Sequence, residues 1–405
     1  MEKSLDRKLQ SIHKDPSGSK EFIIADAKDA DMAFGIGAPG LSPERHDQEL
    51  KYKTLAEYRE QIREVIKQEV VDIVLMSAST SEKLTIDERL FDNSPITPAA
   101  RANDTTDVHV PRGGKIHLSP AKPFRSASLD HIQCGHLDCA PEERAYGADL
   151  GLYSVTFNNN LEEDLATLER YKEFREEAER KKFRHFLEIF DPNISTAIAA
   201  DLAPGFINDL IARTLAGVAT AGRPTFLKMV YHGPRAMEEL VAYDPHLIVG
   251  ILGGSAGTTL DAFQLIYDAK KYGGRVALFG RKINQAEHQL AFIQFLRYLV
   301  EDKIQPVEAV KAYHGVLQEL GIKPTRELDV DLTYQTAVMS YGGEDGKTFS
   351  FPATKTASKP AAGSAKTTSA KPATTNGKGT PDFAAMSSAE KLAYHQDRLN
   401  RMFGE

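Results

Sequence analysis

The chain has no tryptophan and, across 405 residues, only two cysteines, Cys134 and Cys139. Two thiols cannot build the disulfide framework of a small secreted scaffold, so stability must come from an apolar core. Long apolar runs are missing as well: no stretch approaches the ~18 residues a membrane helix needs. Positive charge is not in excess either. Lys and Arg number 50 against 57 Asp and Glu, a formal charge of −7. That balance argues against nucleic acid as the main partner, while leaving room for a local basic pocket around a phosphorylated metabolite. The opening segment, MEKSLDRK, is charged and lacks the apolar h-region of a signal peptide, so a cytoplasmic protein without a membrane partner is expected.

What is present suits one large domain with appendages: 41% of residues are hydrophobic and 26% charged. The organising stretch is 224–283. It reads as three apolar strands, TFLKMVY (225–231), LIVGIL (247–252) and RVALF (275–279), separated by helical segments at 234–243 and 259–272. Those spacers are long enough for right-handed crossovers between parallel strands, so the expected fold is a (β/α)8 barrel. Upstream, EFIIADA (21–27) reads as the first strand, 70–76 as the second, 146–157 as the fourth and RHFLEIF (184–190) as the fifth. The third is expected within 122–129, after a top-face insertion at 81–125, and 161–182 reads as a long charged helix. Residues 1–20 are expected to cap or lid the domain, which runs from 21 to 345.

Chemistry is sought where polar residues interrupt these strands. Alternation puts Phe226, Lys228, Val230 and His232 on one face. If that face is the barrel interior, desolvation lowers the Lys228 pKa and favours an amine that attacks carbonyls; the alternative is a lysine that reaches the surface. Glu188 lies between Phe186 and Phe190 on its strand face, where an unpaired carboxylate is costly, so it is the natural partner of Lys228 on the next strand. A purely structural ion pair is the competing reading. Gly253, Gly254 and Ser255 follow the seventh strand, and Gly280 and Arg281 the eighth, where barrels commonly bind phosphate. Those glycines can equally be simple turns. Asp26 shares the parity of Phe22 and Ile24 and is expected to point into the barrel mouth.

Together, "FLKMVY", "GILGGSAG" and "ALFGRKI" resemble the class I, Schiff-base aldolases of the archaeal fructose-bisphosphate and tagatose-bisphosphate type. The resemblance implies an iminium-forming lysine at Lys228, a proton-handling glutamate at Glu188 and a supporting aspartate at Asp26. It also implies a phosphate site at 253–255 and 280–281, a phosphorylated ketose or deoxy sugar as substrate, no cofactor and a homo-oligomer. Two departures stand out. The fifth strand lacks the tyrosine proton donor of the fructose-bisphosphate enzymes, and the fourth lacks the lysine of the tagatose type. His232 and Tyr153 are candidate substitutes. Two rival readings remain: an isomerase or epimerase that uses Lys228 as an electrostatic clamp, and a decayed barrel kept as cargo or scaffold.

Two further features stand apart. His131, Cys134, His136 and Cys139 make a metal-like cluster, but the spacing matches no standard zinc finger and no metal is assigned. Residues 346–381 are Ala-, Thr-, Lys- and Pro-rich and too poor in apolar groups to fold. Beyond them, 382–405 opens with the capping-box pattern Ser387 to Glu390 and places Leu392, Leu399 and Phe403 on one helical face. It resembles the peptides that carry enzymes into bacterial microcompartments, which implies a shell-protein partner; a clasp on a neighbouring subunit explains it equally.

Overall fold

The computed structural model describes residues 1–42, 51–254 and 257–335. Eight parallel strands close into a barrel: β1 (Ile23–Lys28), β2 (Ile73–Met76), β3 (Thr97–Arg101), β4 (Leu150–Thr156), β5 (Arg184–Phe190), β6 (Leu227–Met229), β7 (Gly250–Leu252) and β8 (Val276–Phe279). Closure is made by β1 against β8, with Ile23 opposite Val276. The chain divides into Met1–Thr354 and Lys355–Glu405, and every described residue lies in the first unit. The 346–381 linker and 382–405 helix expected from sequence lie outside the described residues. Among the described residues no helix is long and apolar enough to cross a membrane.

Inside the barrel the lower layers are apolar. Ile23, Ala25, Ile73, Leu75, Leu150, Phe186, Phe226 and Leu278 form one buried cluster, in which the Phe186 and Phe226 rings stack with centroids 4.6 Å apart. Helix α1 (Ser4–Lys14) plugs this end by adding Leu5, Leu9 and Ile12, three to four residues apart and so on one helical face. Burying those three contributes about 1.5–3 kcal/mol each. The Ser4–Lys14 helix thus packs over the N-terminal end of the barrel. A cleft of about 550 Å³ lies there too, lined by Arg7, Lys8, Glu69 and Arg297 among others.

The third strand corrects the sequence reading. It is Thr97–Arg101, whereas Pro123–Phe124 pairs antiparallel with Asp104–Thr105 in a short ribbon and Leu129–Cys134 is helical. TPAAR carries no apolar run because the packed interior leaves room only for Ala99, and its proline sits where no strand bond is lost. Ala102 donates to Leu152 O, so the N–H groups that face β4 are those of 100 and 102, and Pro98 precedes the first of them. The insertion at the C-terminal mouth is therefore 102–128. It seats Val108 against Phe190, Val230 and Leu252, an apolar patch roofing one side of the mouth.

Candidate active site

Three adjacent strands place three polar side chains in one barrel layer. Ser154 is registered with Glu188, and Glu188 with Lys228. All three continue the inward-facing series below them, which ends in Leu152, Phe186 and Phe226. The Lys228 Nζ lies 2.5 Å from Glu188 Oε1, and both residues are buried, at 4% and 0% exposure. The other carboxylate oxygen of Glu188 accepts the Ser154 hydroxyl at 2.7 Å and lies 3.5 Å from the Arg101 guanidinium. The lysine is thus enclosed, with aromatic rings beneath it and the Val108 patch on the layer above.

Arg101, from the end of β3, ties this pair to the rest of the mouth. Its Nε donates to Asp29 Oδ2 at 2.6 Å, and its NH1 reaches the Ser154 hydroxyl and Asn103 O at 3.2 Å. Asn103 in turn clamps the Ser154 backbone in both directions, accepting its N–H at 2.6 Å and donating to its carbonyl at 2.8 Å. Asp104 lies 3.5 Å from Arg101; burial raises its carboxyl to about 6, with Arg101 pulling the other way. Asp107 accepts the Thr156 hydroxyl at 2.9 Å and is raised mainly by burial. His232, two positions above Val230 on the inward face, pairs with Asp191 at 2.9 Å.

Asp26 does not join this group. Its strand neighbours Phe22 and Ile24 belong to the outer cluster between barrel and helices, whereas Ile23, Ala25 and Ala27 face inward. Asp26 therefore points away from the mouth, to Lys28 Nζ at 3.2 Å, and the inward aspartate is Asp29. The expected orientation fails because both faces of β1 are fully buried, so parity cannot distinguish them. Tyr153 faces outward for the same reason, stacked on Phe174 with centroids 4.4 Å apart. It cannot replace the missing proton donor.

The glycine positions divide. The Gly253 N–H already donates to Leu278 O at 2.7 Å, and a Cβ there would lie 2.3 Å from the Phe279 ring. Gly253 is thus a packing glycine with no N–H to offer an anion. Gly254 has φ +56°, a conformation that favours glycine. At Gly280 a Cβ would come within 2.7 Å of Ala27 O. Arg281 is half-buried, its guanidinium 5.3 Å from the Phe34 ring centroid. Ser255 lies outside the described residues. Lys282, not anticipated from sequence, donates to Gly257 O at 2.6 Å and Thr258 O at 3.1 Å, pinning the far side of the β7 turn. Burial, with help from Arg326, lowers its pKa to about 8.

Arg101, Asp29, Asn103 and Ser154 were also missed. Only one of them carried a usable signal: an arginine ending an Ala-Ala strand has no reason to be buried unless it pairs inside.

No family model matches the chain, and no curated protein sequence does. Among solved structures it is similar to a fructose-bisphosphate aldolase from Slackia heliotrinireducens, with a TM-score of 0.54 and 14% identity, over 77% of this chain and 91% of that one. It is also similar to an archaeal fructose 1,6-bisphosphate aldolase (TM-score 0.52, 13% identity, 73% of this chain and 99% of that one). A third similar structure is an archaeal fructose-1,6-bisphosphate aldolase whose catalytic lysine is covalently bound to the carbinolamine intermediate of its substrate (TM-score 0.52, 14% identity, 72% and 99%). At these identities the likeness is one of fold.

Proposed function

We propose that this barrel is a Schiff-base aldolase that cleaves or forms a C–C bond in a phosphorylated ketose or deoxy sugar. The observation that carries the reading is the enclosed Lys228–Glu188 contact of 2.5 Å on adjacent strands, at the end of the barrel where such folds hold their chemistry. A carboxylate this close can take the ammonium proton and free the amine. The amine adds to the substrate ketone; the carbinolamine then loses water, with Glu188 returning the proton to the departing hydroxide. The iminium accepts the electron pair of the breaking C–C bond while the neighbouring hydroxyl passes its proton to Glu188 and becomes the aldehyde. Protonation of the enamine carbon and hydrolysis of the iminium restore the lysine.

Arg101 and Ser154 hold Glu188 in place through these transfers, and Asp29 orients Arg101. In this reading Gly254, Gly280 and Arg281 receive the phosphate, and His232, braced by Asp191, serves as the proton donor at the upper rim. The substrate's phosphate meets Arg281 as a charged fork. Residues 382–405 would dock on a shell protein or a neighbouring subunit; fusing them to a fluorescent protein separates recruitment to a shell from self-association.

The test is borohydride reduction in the presence of dihydroxyacetone phosphate, followed by peptide mass spectrometry. The expected product is a stable adduct on Lys228, absent in Lys228→Ala. Turnover of a sugar phosphate without any adduct would favour the isomerase reading. Neither turnover nor adduct with any keto- or aldo-phosphate would favour a scaffold.

A further inference from the structure

The 135–149 connection between the Leu129–Cys134 helix and β4 runs at the N-terminal end of the barrel, opposite the mouth that holds Lys228. It is more than twice the usual αβ loop length of about 2–6 residues. Such a loop needs something to fold around, and its own side chains supply little. From 134 to 147 the only buried residues are Cys134 and Cys139, while Leu137 and Tyr146 are exposed. The chain bends sharply to bring the two sulfurs together, with Gly135 at φ +85° and Asp138 at φ +57°.

The sulfurs are joined by a third ligand type. A carboxylate oxygen of Glu143 and both Sγ atoms all lie within 4.8 Å of one another. A tetrahedral zinc ion with ordinary Zn–S and Zn–O bonds spaces its ligand atoms about 3.3–3.8 Å apart, so a small inward shift would close the set. Both Glu143 oxygens are oriented: Oε2 accepts the Ala140 N–H at 2.9 Å, and Oε1 faces His136 Nε2 at 3.4 Å. The other His136 nitrogen, Nδ1, lies 2.8 Å from Leu137 O. A backbone carbonyl on one ring nitrogen fixes the tautomer that presents the other nitrogen as a lone pair, the arrangement usual for metal-bound histidine.

We propose that Cys134, Cys139, Glu143 and His136 bind one zinc ion that closes the 135–149 loop as a structural staple. The ligand set differs from the sequence cluster by one exchange. His131 is drawn off to Ser128, with Nδ1 and Oγ 2.6 Å apart, and Glu143 takes its place. The buried thiols supply soft ligands, and the exposed imidazole and half-exposed carboxylate leave the ion an entry path. Two thiols and a carboxylate already grouped, with the His136 imidazole 3.4 Å from Glu143 swinging in as the fourth ligand, leave no open coordination position and make a closed site, which suits structure rather than catalysis. The staple stands independently of the aldolase reading.

The full-length chain, purified under reducing conditions and incubated with zinc sulfate, should retain one zinc per chain after gel filtration. Cobalt(II) in its place should give thiolate charge-transfer absorption with the strong visible bands of a tetrahedral site. Cys139→Ser should abolish retention. Glu143→Gln and His136→Ala, at sites too exposed to threaten folding, should weaken zinc binding about 10–100-fold. Zinc removal should speed proteolysis within 135–149 and leave borohydride trapping at Lys228 unchanged. A chain that retains no zinc and keeps both thiols freely reactive would overturn the proposal. So would a mass lower by two hydrogens in a 134–139 peptide under those reducing conditions, since a disulfide would then be what the loop folds around.

Discussion

Two lysines on barrel strands, Lys28 and Lys228, are each buried against a carboxylate, and the two pairs nearly match in sequence logic. Lys28 lies 3.2 Å from Asp26 and donates to Asn284 at 2.5 Å and Gln289 at 3.0 Å. Lys228 lies 2.5 Å from Glu188. The first pair is enclosed between barrel and helices with both side chains at 0% exposure, and Lys28 has its donors spent on fixed amide oxygens. The second stands in the layer where the barrel interior turns from apolar to polar, and its carboxylate is held from behind by Ser154 and Arg101. Burial and pairing alone therefore do not tell the two lysines apart. What separates them is the face of the strand, and under the proposed function only the inward face meets substrate.

The largest contrast should come from removing each lysine. Lys228→Ala should lower kcat per folded molecule by roughly 10⁴-fold, the scale for a member of a catalytic unit; it also unpairs the buried Glu188, whose contacts with Ser154 and Arg101 offset part of the stability lost. Lys28→Met should act on stability alone. It strands Asp26 as a buried charge, at a cost of about 3–5 kcal/mol in urea unfolding, while kcat per folded molecule is unchanged. Equal losses of activity in the two variants would erase the distinction. Removing both partners sharpens it: Asp26→Leu with Lys28→Met should recover part of that loss, because no charge is left stranded, while Asn284 and Gln289 still lose the donor they share.

A subtler separation uses pH. Burial lifts both Asp26 and Asp104 from 3.8 to about 6, each opposed by its own cation. A carboxyl that holds its proton more tightly folded than unfolded favours the folded state in acid. That contribution is whole below pH ~4 and is lost as pH rises to about 6. Asp26→Asn should therefore flatten the stability profile between pH ~4 and ~6 and leave the rate profile alone. Asp104 touches Arg101, which touches Glu188, so its ionisation should give kcat/KM an inflection near pH 6 that Asp104→Asn removes. An inflection that vanishes with Asp26→Asn instead would place the wrong aspartate in the site. The smallest expected effect is at Arg281. Arg281→Ala should raise KM for a phosphorylated substrate about 10–100-fold with kcat nearly unchanged, and an unaltered KM would remove Arg281 from the site.

How much of this was readable in advance follows from how strands are buried. On β5, Glu188 stood out because a charge between two phenylalanines has few explanations, and its pairing with Lys228 across one strand boundary is what the register delivers. On β1 the same reasoning put Asp26 on the wrong side. Every residue of that strand is buried, and its two charged residues, Asp26 and Lys28, lie on the outer face while the inner face is Ile23, Ala25 and Ala27, so polarity points to the wrong side. Asp29 follows from the inward orientation of Ala25 and Ala27, which IIADAK does not encode. Strand β3 was invisible for a related reason: its code is small residues that fit beside Phe186 and its neighbours, and smallness in sequence reads as loop. The insertion that follows it could be recognised as an insertion, but its Val108 contact could not, because a single valine among polar residues has no periodicity.

Helix α1 has a consequence for how the chain comes to be folded. It is made before every strand, yet its partners are distant: Lys8 bonds Asp72, Asp72 also takes Arg297 at 2.8 Å, and Asp6 pairs with Arg184 at 2.5 Å. An 11-residue helix is marginal alone in water, so it cannot wait as a finished piece. At roughly 5–20 residues per second, Arg297 leaves the ribosome tens of seconds after Leu5 does. Through that interval Leu5, Leu9 and Ile12 have no complete barrel floor to cover. The plug is synthesised before every strand it covers and has its full set of partners only after Arg297 has emerged, so a fluorophore on its outer face would report the moment the ring closes.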